Sequence, residues 1–431
     1  MNISSIRGMH PQGPDRTGLW QEVERILVHI AKSYGYKEIR FPVLEKTELF
    51  CRAVGQATDI VEKEMYTFID RNGDQLTLRP EGTASCVKAA HECALLNGQT
   101  QKLWYMGPMF RHERPQKGRY RQFHQFGVEV FGEPGAGVLL ELILIIERIW
   151  KKLGIASQIS LQLNSLGSTE CRASYRELLV DFFSAHKDDL DEDSQRRLQT
   201  NPLRILDSKN PQMQSLIAMA PKLLDHLDEA SRAELDSVRT VLDTSGIRYE
   251  INPHLVRGLD YYNGLVFEWV TDRLGAQGTV CAGGRYDGLV KQLGGRDMPA
   301  AGLAMGLERV LCLCEELETL QPNECADAYF VAFGSDAFAK MLNLKEDLHD
   351  RMEEYILQIN TAGGSFKSQM KKADRSGAKL AIIMGDDELS EGCVGVKFLR
   401  EDRPQEKVAL TELENYLKSH LDKRKHHGIN A

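Results

Sequence analysis

The sequence predicts an α+β protein: a mostly antiparallel sheet flanked by helices, with a helical insertion and a C-terminal α/β module. Three observations predict it. Strand-like alternation recurs without the strand-helix-strand order of a parallel sheet. A charged, strand-poor stretch separates two groups of strands. Beyond a linker-like break at 320–326, strands and helices alternate closely. At 431 residues the chain also exceeds what one core ordinarily organises, so two or three domains are expected.

Each element follows from its pattern. From Leu19, the apolar residues Val23, Ile26, Leu27, Ile30 and Tyr34 recur at helical spacing, and Gly35 ends the run. Glu38 to Glu45 reads as one alternating strand containing Pro42, which cannot donate to a ladder. An open edge or a bulge is expected there, with a second subunit as one occupant. Leu103–Arg111 and Arg121–Phe131 read as two strands joined by a basic loop, followed by strands at Leu265–Val270 and Thr279–Ala282. Ala300–Met305 leads through Gly306 into a helix over Leu307–Glu316. The module beyond the linker shows Ala328–Phe333, a helix near Ala337–Tyr355, Lys379–Met384 and Val394–Leu399. The expected division is 1–322, interrupted by the helical insertion at about 166–252, then 327–421 and a basic tail at 422–431.

A hydrophobic fraction of 42% and a charged fraction of 27% are those of an ordinary globular protein. The richest apolar stretch, Val138–Trp150, is broken by Glu141, Glu147 and Arg148, so no membrane span is expected. Met1–Pro14 lacks the basic start and apolar run of a secretory signal. Nine scattered cysteines fit a reducing cytoplasm rather than a disulfide framework. Cys312 and Cys314 stand two apart in a helix and point in different directions, so they read as core thiols and no metal site is expected. The net charge of -8 does not exclude nucleic acid, because phosphate binding depends on local patches. Basic residues cluster at Arg111–Arg121, at Lys367–Arg375 and at Lys423–His427.

Arg121–Phe131 is the most informative strand. Phe126, Val128 and Val130 share a face that suits a core, while Gln125, Gly127 and Glu129 share the other. Two polar acceptors flanking a glycine describe a floor with room for a ligand. An ordinary half-exposed strand gives the same pattern, and a basic hairpin alone is more often a solvated loop. Here the two adjoin: Phe110-Arg111-His112-Glu113-Arg114 ends the neighbouring strand, and the loop adds Lys117 and Arg119. Arginines at such a mouth suit bidentate phosphate binding, so an anionic and a cationic ligand side by side are expected.

The stretch Phe110 to Phe123 resembles the second signature motif of class II aminoacyl-tRNA synthetases, in particular their histidine branch. Phe41-Pro42 is similar to the first motif, which builds a dimer interface, and Gly302–Arg309 to the third, whose arginine contacts ATP. Arg257–Tyr262 and Ala282–Leu289 look like the histidine-specific signatures; Leu78–Thr83 and Asn201–Asp207 also match. Several motifs in the right order carry far more weight than any one of them. The family's N-terminal Arg-Gly-Met usually continues with an acidic residue and a differently spaced proline; here it runs His10-Pro11-Gln12-Gly13-Pro14-Asp15.

The resemblance implies a class II catalytic domain, a C-terminal anticodon-binding domain and ligation of histidine to its tRNA through an adenylate. It implies that Arg111 and Arg257 flank the α-phosphate of ATP as the catalytic pair, that Arg309 holds the γ-phosphate, and that Arg119 and Glu113 complete the ATP site. Glu81, Thr83 and Gln125 resemble the acceptors for the substrate α-amino group, and Glu129 and Tyr262 those for its imidazole. Arg257, Tyr261 and Tyr286 are expected in the same pocket, with Gly283-Gly284 lining it. Gln116 and Arg121 are implied readers of the tRNA acceptor end, and Gly363–Asp374 resembles the anticodon-binding segment. ATP with Mg2+, L-histidine, histidine tRNA and a second copy of the chain are the implied partners. The rival reading is a non-catalytic paralogue that regulates histidine biosynthesis. Such paralogues lack the anticodon module and the intact histidine signatures, both of which this chain keeps.

Overall fold

Alternation along Gln122–Phe131 orients the main sheet: Phe126, Val128 and Val130 are fully buried on one face. The structure is a computed structural model and describes residues 3–56, 58–206, 208, 210–275, 278–320 and 325–421. The expected basic tail at 422–431, residues 321–324 of the expected linker, and Asp207 lie outside the described residues. The chain separates into the units Met1–Pro322 and Asn323–Ala431.

The first unit is built on an eight-stranded sheet. Its order is Lys37–Glu38, Gln101–Phe110, Gln122–Phe131, Ala300–Gly306, Thr279–Arg285, Asn263–Val270, Ser160–Ser165 and Tyr249–Ile251. Pairing is antiparallel except at the two edges, where the outermost strands run parallel to their neighbours. The helices Pro14–Ser33, Gly137–Leu153 and Leu307–Glu316 cover one face. They bury Val23, Leu27, Ile146, Trp150 and Val310 against Phe126, Val128, Phe267 and Leu303. Each such large side chain contributes about 1.5–3 kcal/mol of burial. Pro14 starts the first of these helices, and Gly154, with φ 73°, closes the second in the left-handed region. The other face carries a second core, in which Leu103, Tyr105 and Phe131 pack with Ala84 and Val87 of the helix Thr83–Glu92.

The expected strand from Glu38 to Glu45 is two strands belonging to different sheets. Lys37–Glu38 joins the main sheet, whereas Leu44–Lys46 pairs with Gln75–Leu78, which in turn pairs with Tyr66–Ile69. Pro42 offers no ladder donor, and the carbonyls of Phe41 and Pro42 accept instead from the Arg79 guanidinium at 2.9 and 3.2 Å. Val43, Leu44, Phe68 and Ile69 are exposed around this small sheet.

Between Ser160–Ser165 and Tyr249–Ile251 stand the helices Thr169–Ala185, Glu192–Thr200, Gln214–Met219 and Glu229–Thr244. Ser168, Asp191 and Asp228 cap three of them by accepting from the N–H groups of Cys171, Ser194 and Ser231. Tyr249–Ile251 is a strand that the helical reading of 166–252 did not anticipate. Three residues show too little alternation to register, and the parallel ladder with Ser160–Ser165 holds them extended. The second unit has a five-stranded sheet, ordered Leu357–Ile359, Ala328–Ala332, Leu380–Met384, Cys393–Phe398, Glu406–Ala409, packed with the helices Ser335–His349, Phe366–Arg375, Asp386–Glu391 and Leu413–His420.

Candidate active site

On the opposite face of the main sheet, beside the second hydrophobic core, lies a cleft of about 1130 Å³. Its lining brings together Arg111, Arg119, Glu113, Arg257 and Arg309 with Glu81, Thr83, Gln125, Tyr261 and Tyr262. These come from the hairpin, the helix start after Pro80, the stretch before Asn263–Val270 and the helix after Ala300–Gly306. Residues up to 228 positions apart, Glu81 to Arg309, meet only because the antiparallel strands set their ends side by side.

Each arginine is held by named groups. Arg111 Nε donates to Pro80 O at 2.8 Å, and its guanidinium stands 5.3 Å from the centre of the Phe123 ring. Arg119 pairs with Glu113, and Arg309 donates to the carbonyl of Thr279. Arg257 pairs with Glu268 and lies 5.1 Å from the centre of the Tyr262 ring. Its Nε is buried and has no hydrogen-bond partner among the described residues. Burial pushes the Arg309 pKa down to about 10, and the charges of Arg119 and Arg111 act in the same direction. Burial also opposes the charge of Arg257, but Glu268 and the two tyrosines outweigh it, so that guanidinium is held positive. Arg309 thus lies close enough to Arg119 and Arg111 to feel their charge, an arrangement that an anion between them relieves.

Beside them is a polar, buried corner. Glu81 accepts from the N–H groups of Thr83 and Ala84 at 2.9 and 2.8 Å, capping the helix Thr83–Glu92, and it also accepts from the Tyr261 hydroxyl at 3.4 Å. The helix-start role and the cleft position are therefore compatible. Gln125 Oε1 is a buried acceptor with no partner among the described residues. Burial raises the pKa of Glu81 despite those backbone donors, and pushes Glu129 up to about 8.

Four sequence expectations need correction. Gly127 does not leave room for a ligand: a Cβ there would lie 2.1 Å from the Tyr105 ring, because Tyr105 fills that space. Glu129 and Tyr286 do not line the cleft but lie beneath it, at 0% and 1% exposure. Thr83 Oγ1 and Tyr105 OH donate to Glu129 Oε1 at 2.8 and 3.2 Å, and Tyr286 OH donates to Oε2 at 2.5 Å. Gly283-Gly284 does not line the pocket either. A Cβ on Gly283 would lie 2.4 Å from Gly302 O, and one on Gly284 2.8 Å from Leu265 O, so these glycines permit close strand packing. Tyr261 and Tyr262 form a tilted ring pair 4.7 Å apart and belong to the second hydrophobic core as well as to the cleft wall.

Gln116 and Arg121 stand outside the cleft lining. Gln116 is exposed and exchanges backbone hydrogen bonds with Arg119, while the N–H of Arg121 donates to Gly8 O at 2.8 Å. That contact ties the segment before His10 to the hairpin loop, where His10 meets Tyr120 edge to face at 5.5 Å. Sequence reasoning missed Tyr105, Glu268 and Gly302. Glu268 alternates with the buried Phe267 and Trp269, so period two placed an acid on the cleft face. Gly302 stands opposite Glu129, and a Cβ there would lie 1.7 Å from Glu129 Oε2. Tyr105 carried no separate signal in its aromatic strand.

An antiparallel sheet with hairpin and helix-start arginines meeting beside a polar pocket is the catalytic architecture of the class II aminoacyl-tRNA synthetases. Residues 8–310 match the family model described as histidyl-tRNA synthetase, and residues 327–420 match the anticodon binding domain. The chain is 35% identical to the apo histidyl-tRNA synthetase of Staphylococcus aureus, with 96% of this chain and 100% of that one covered and a TM-score of 0.81. It shares its fold with the histidyl-tRNA synthetase of a Nostoc species (21% identity, 97% and 99% covered, TM-score 0.69). It also shares it with an ATP phosphoribosyltransferase regulatory subunit/histidyl-tRNA synthetase of Bacillus halodurans (19%, 89% and 99%, 0.62). The chain belongs to the histidyl-tRNA synthetase family, and its activity is that of a histidine–tRNA ligase. The regulatory-paralogue reading is the less supported one.

Proposed function

We propose that the cleft makes histidyl-adenylate by in-line attack of the histidine carboxylate on the α-phosphorus of ATP, with pyrophosphate leaving. Two anions must meet, so fixed positive charge around the phosphorus is the main requirement. Arg111 and Arg257 hold the α-phosphate, Arg309 the γ-phosphate, and Arg119 with Glu113 completes the ATP site. The observation that carries this reading is that all four arginines line one cleft beside an unpartnered acceptor at Gln125. Glu81, Thr83 and Gln125 receive the α-amino group. Tyr262 meets the imidazole, and Glu129 fixes that corner from below through Thr83, Tyr105 and Tyr286. A buried polar corner rejects amino acids that leave it unpaired, at about 1–3 kcal/mol for each lost partner.

Among the described residues, no group of three or more His, Cys, Asp and Glu is placed to hold a metal. Glu113 and Glu268 offer oxygen donors in the cleft, but each is paired with an arginine. Mg2+ would enter with the nucleotide and offset phosphate charge there, with Glu113 and Glu268 as the cleft's nearby oxygen donors. In the second step the terminal ribose oxygen of the tRNA attacks the adenylate carbonyl and AMP leaves. Gln116 and Arg121 meet the acceptor end, and the basic helix Phe366–Arg375 meets the anticodon.

The protein works as a homodimer through the exposed apolar edge at Val43, Leu44, Phe68 and Ile69, in the cytoplasm that its free cysteines suit. Among the described residues no helix is long and apolar enough to cross a membrane. Amino-acid-dependent exchange of pyrophosphate into ATP tests the central claim. Exchange with histidine alone is expected, and no exchange with any amino acid would remove the catalytic reading. Sedimentation tests the dimer.

A further inference from the structure

Arg257 sits at the start of a segment with little backbone support of its own. From Val256 to Tyr262 the chain joins no ladder and no helix. Its backbone hydrogen bonds among the described residues are one from Asp260 N to Val54 O and those made by two arginine side chains. Arg204 Nη2 donates to Gly258 O at 2.7 Å and to Asp260 Oδ1 at 3.1 Å. Arg172 Nη1 donates to Tyr262 O at 2.6 Å, at the other end of the segment. Asn201 adds a hydrogen bond to Asp260 at 3.2 Å. All three donors belong to the helical insertion.

Packing fixes the far end of the segment, where Tyr261 and Tyr262 enter the second hydrophobic core, but does less for its start. Val256, Arg257, Leu259 and Tyr262 line the catalytic cleft on one side and a second cavity of about 460 Å³ on the other. Around Gly258, where an added Cβ would meet nothing within 4 Å, space leaves the backbone dependent on polar contacts. The Tyr262 carbonyl is on a buried residue and needs the donor that Arg172 supplies. At exposed Gly258 and Asp260 the rigid, permanently charged Arg204 guanidinium bridges two oxygens with one nitrogen.

We infer that Arg204, assisted by Arg172, is a positioning residue: the insertion holds the 257–262 segment so that Arg257 faces the reacting phosphate. This rests on the assignment of Arg257 to the α-phosphate. The insertion, whose Arg197 and Arg204 also border the cleft, is thereby part of the activation machinery. Catalytic groups displaced by about 1 Å can lose about 100-fold in rate, so loss of the clamp acts mainly on kcat.

The test is a double-mutant cycle in the full-length protein, read by histidine-dependent pyrophosphate exchange. Arg204→Ala is expected to lower kcat by about 10- to 100-fold while the histidine KM changes by less than about threefold. Arg204→Lys, which keeps a positively charged donor on a shorter chain, should recover part of that loss. If Arg204 acts through Arg257, the double variant R204A/R257A should be no slower than R257A alone, whereas independent roles would multiply. Multiplicative losses, or an R204A kcat within twofold of the parent beside a crippled R257A, would overturn the positioning role alone. An R257A enzyme with unchanged kcat would overturn the assignment beneath it as well. Should R204A not fold, Arg172→Met enters the same cycle at the other end of the segment, with the same outcomes deciding.

Discussion

Arg257 and Glu268 are each 14% exposed, so their ion pair is close to water yet largely desolvated. Removing one partner of such a pair leaves the other charge uncompensated, and the arginine also has an unused Nε for a ligand. Arg257→Ala is therefore expected to slow adenylate formation by about 100-fold or more while histidine Kd moves by less than about threefold. Single-turnover adenylate formation and equilibrium dialysis measure the two quantities; equal losses in both would deny it a transition-state role. Glu129 gives a second residue-scale expectation. Its pKa is raised from 4.5 to about 8, chiefly by burial, so between those values the native state holds a proton that the unfolded chain has lost. Its contribution to stability is full below about pH 4.5 and is lost as pH rises through 8. Glu129→Gln should accordingly gain stability relative to the parent between pH 5.5 and 8.5, by up to a few kcal/mol, in urea melts of the ligand-free protein. A difference that stays flat with pH would mean that the carboxylate is ionised throughout.

Single elements decide whether that carboxylate lies where the pocket needs it. The strands Gln122–Phe131 and Ala300–Gly306 set Glu129 opposite Gly302, and the missing side chain lets the carboxylate lie over the neighbouring backbone. Gly302→Ala would push a methyl to within 1.7 Å of Glu129 Oε2. A shift of the carboxylate should raise the histidine KM about tenfold or more, with overpacking lowering stability by about 1–3 kcal/mol. Unchanged KM in a folded variant would show that the corner tolerates the shift. At this scale the sequence is informative about periodic elements and silent about what fills gaps. The pair of strands at the hairpin and the helix after Gly306 are legible because period two and period 3.6 run for seven residues or more. Arg111, Arg257 and Arg309 are legible as a set only through the resemblance, since nothing local says that positions so distant converge. Tyr105 occupying the space at Gly127 was invisible: strand pairing alone brings that ring over that glycine. Pro42 did signal an interruption, but the transfer of Leu44–Lys46 to another sheet depends on Gln75–Leu78, whose partner is unspecified in the sequence.

For the whole molecule the question is which tasks each unit performs alone. Every residue lining the catalytic cleft falls within the first unit, and among the described residues the main and second hydrophobic clusters, with the side chains packed on them, extend no further than Leu320. The second unit closes its own clusters around Phe330, Ile382, Val396 and Leu417, together with Val331 and Ile383 on its other face. Two separate cores imply that each unit can hold its own fold. A chain ending at residue 322 should then activate histidine at a rate within about threefold of the parent. Recognition of tRNA is different on the proposed reading, in which acceptor end and anticodon meet separate surfaces of one chain. Losing one of two linked contacts removes the effective concentration it supplied, so charging should fall by about 100-fold or more at limiting tRNA. Pyrophosphate exchange and tRNA acylation on the same preparation separate the two effects. If exchange vanished along with acylation in a truncated chain with the parent's secondary structure, the first unit would depend on the second for more than tRNA, and the division of labour would fail.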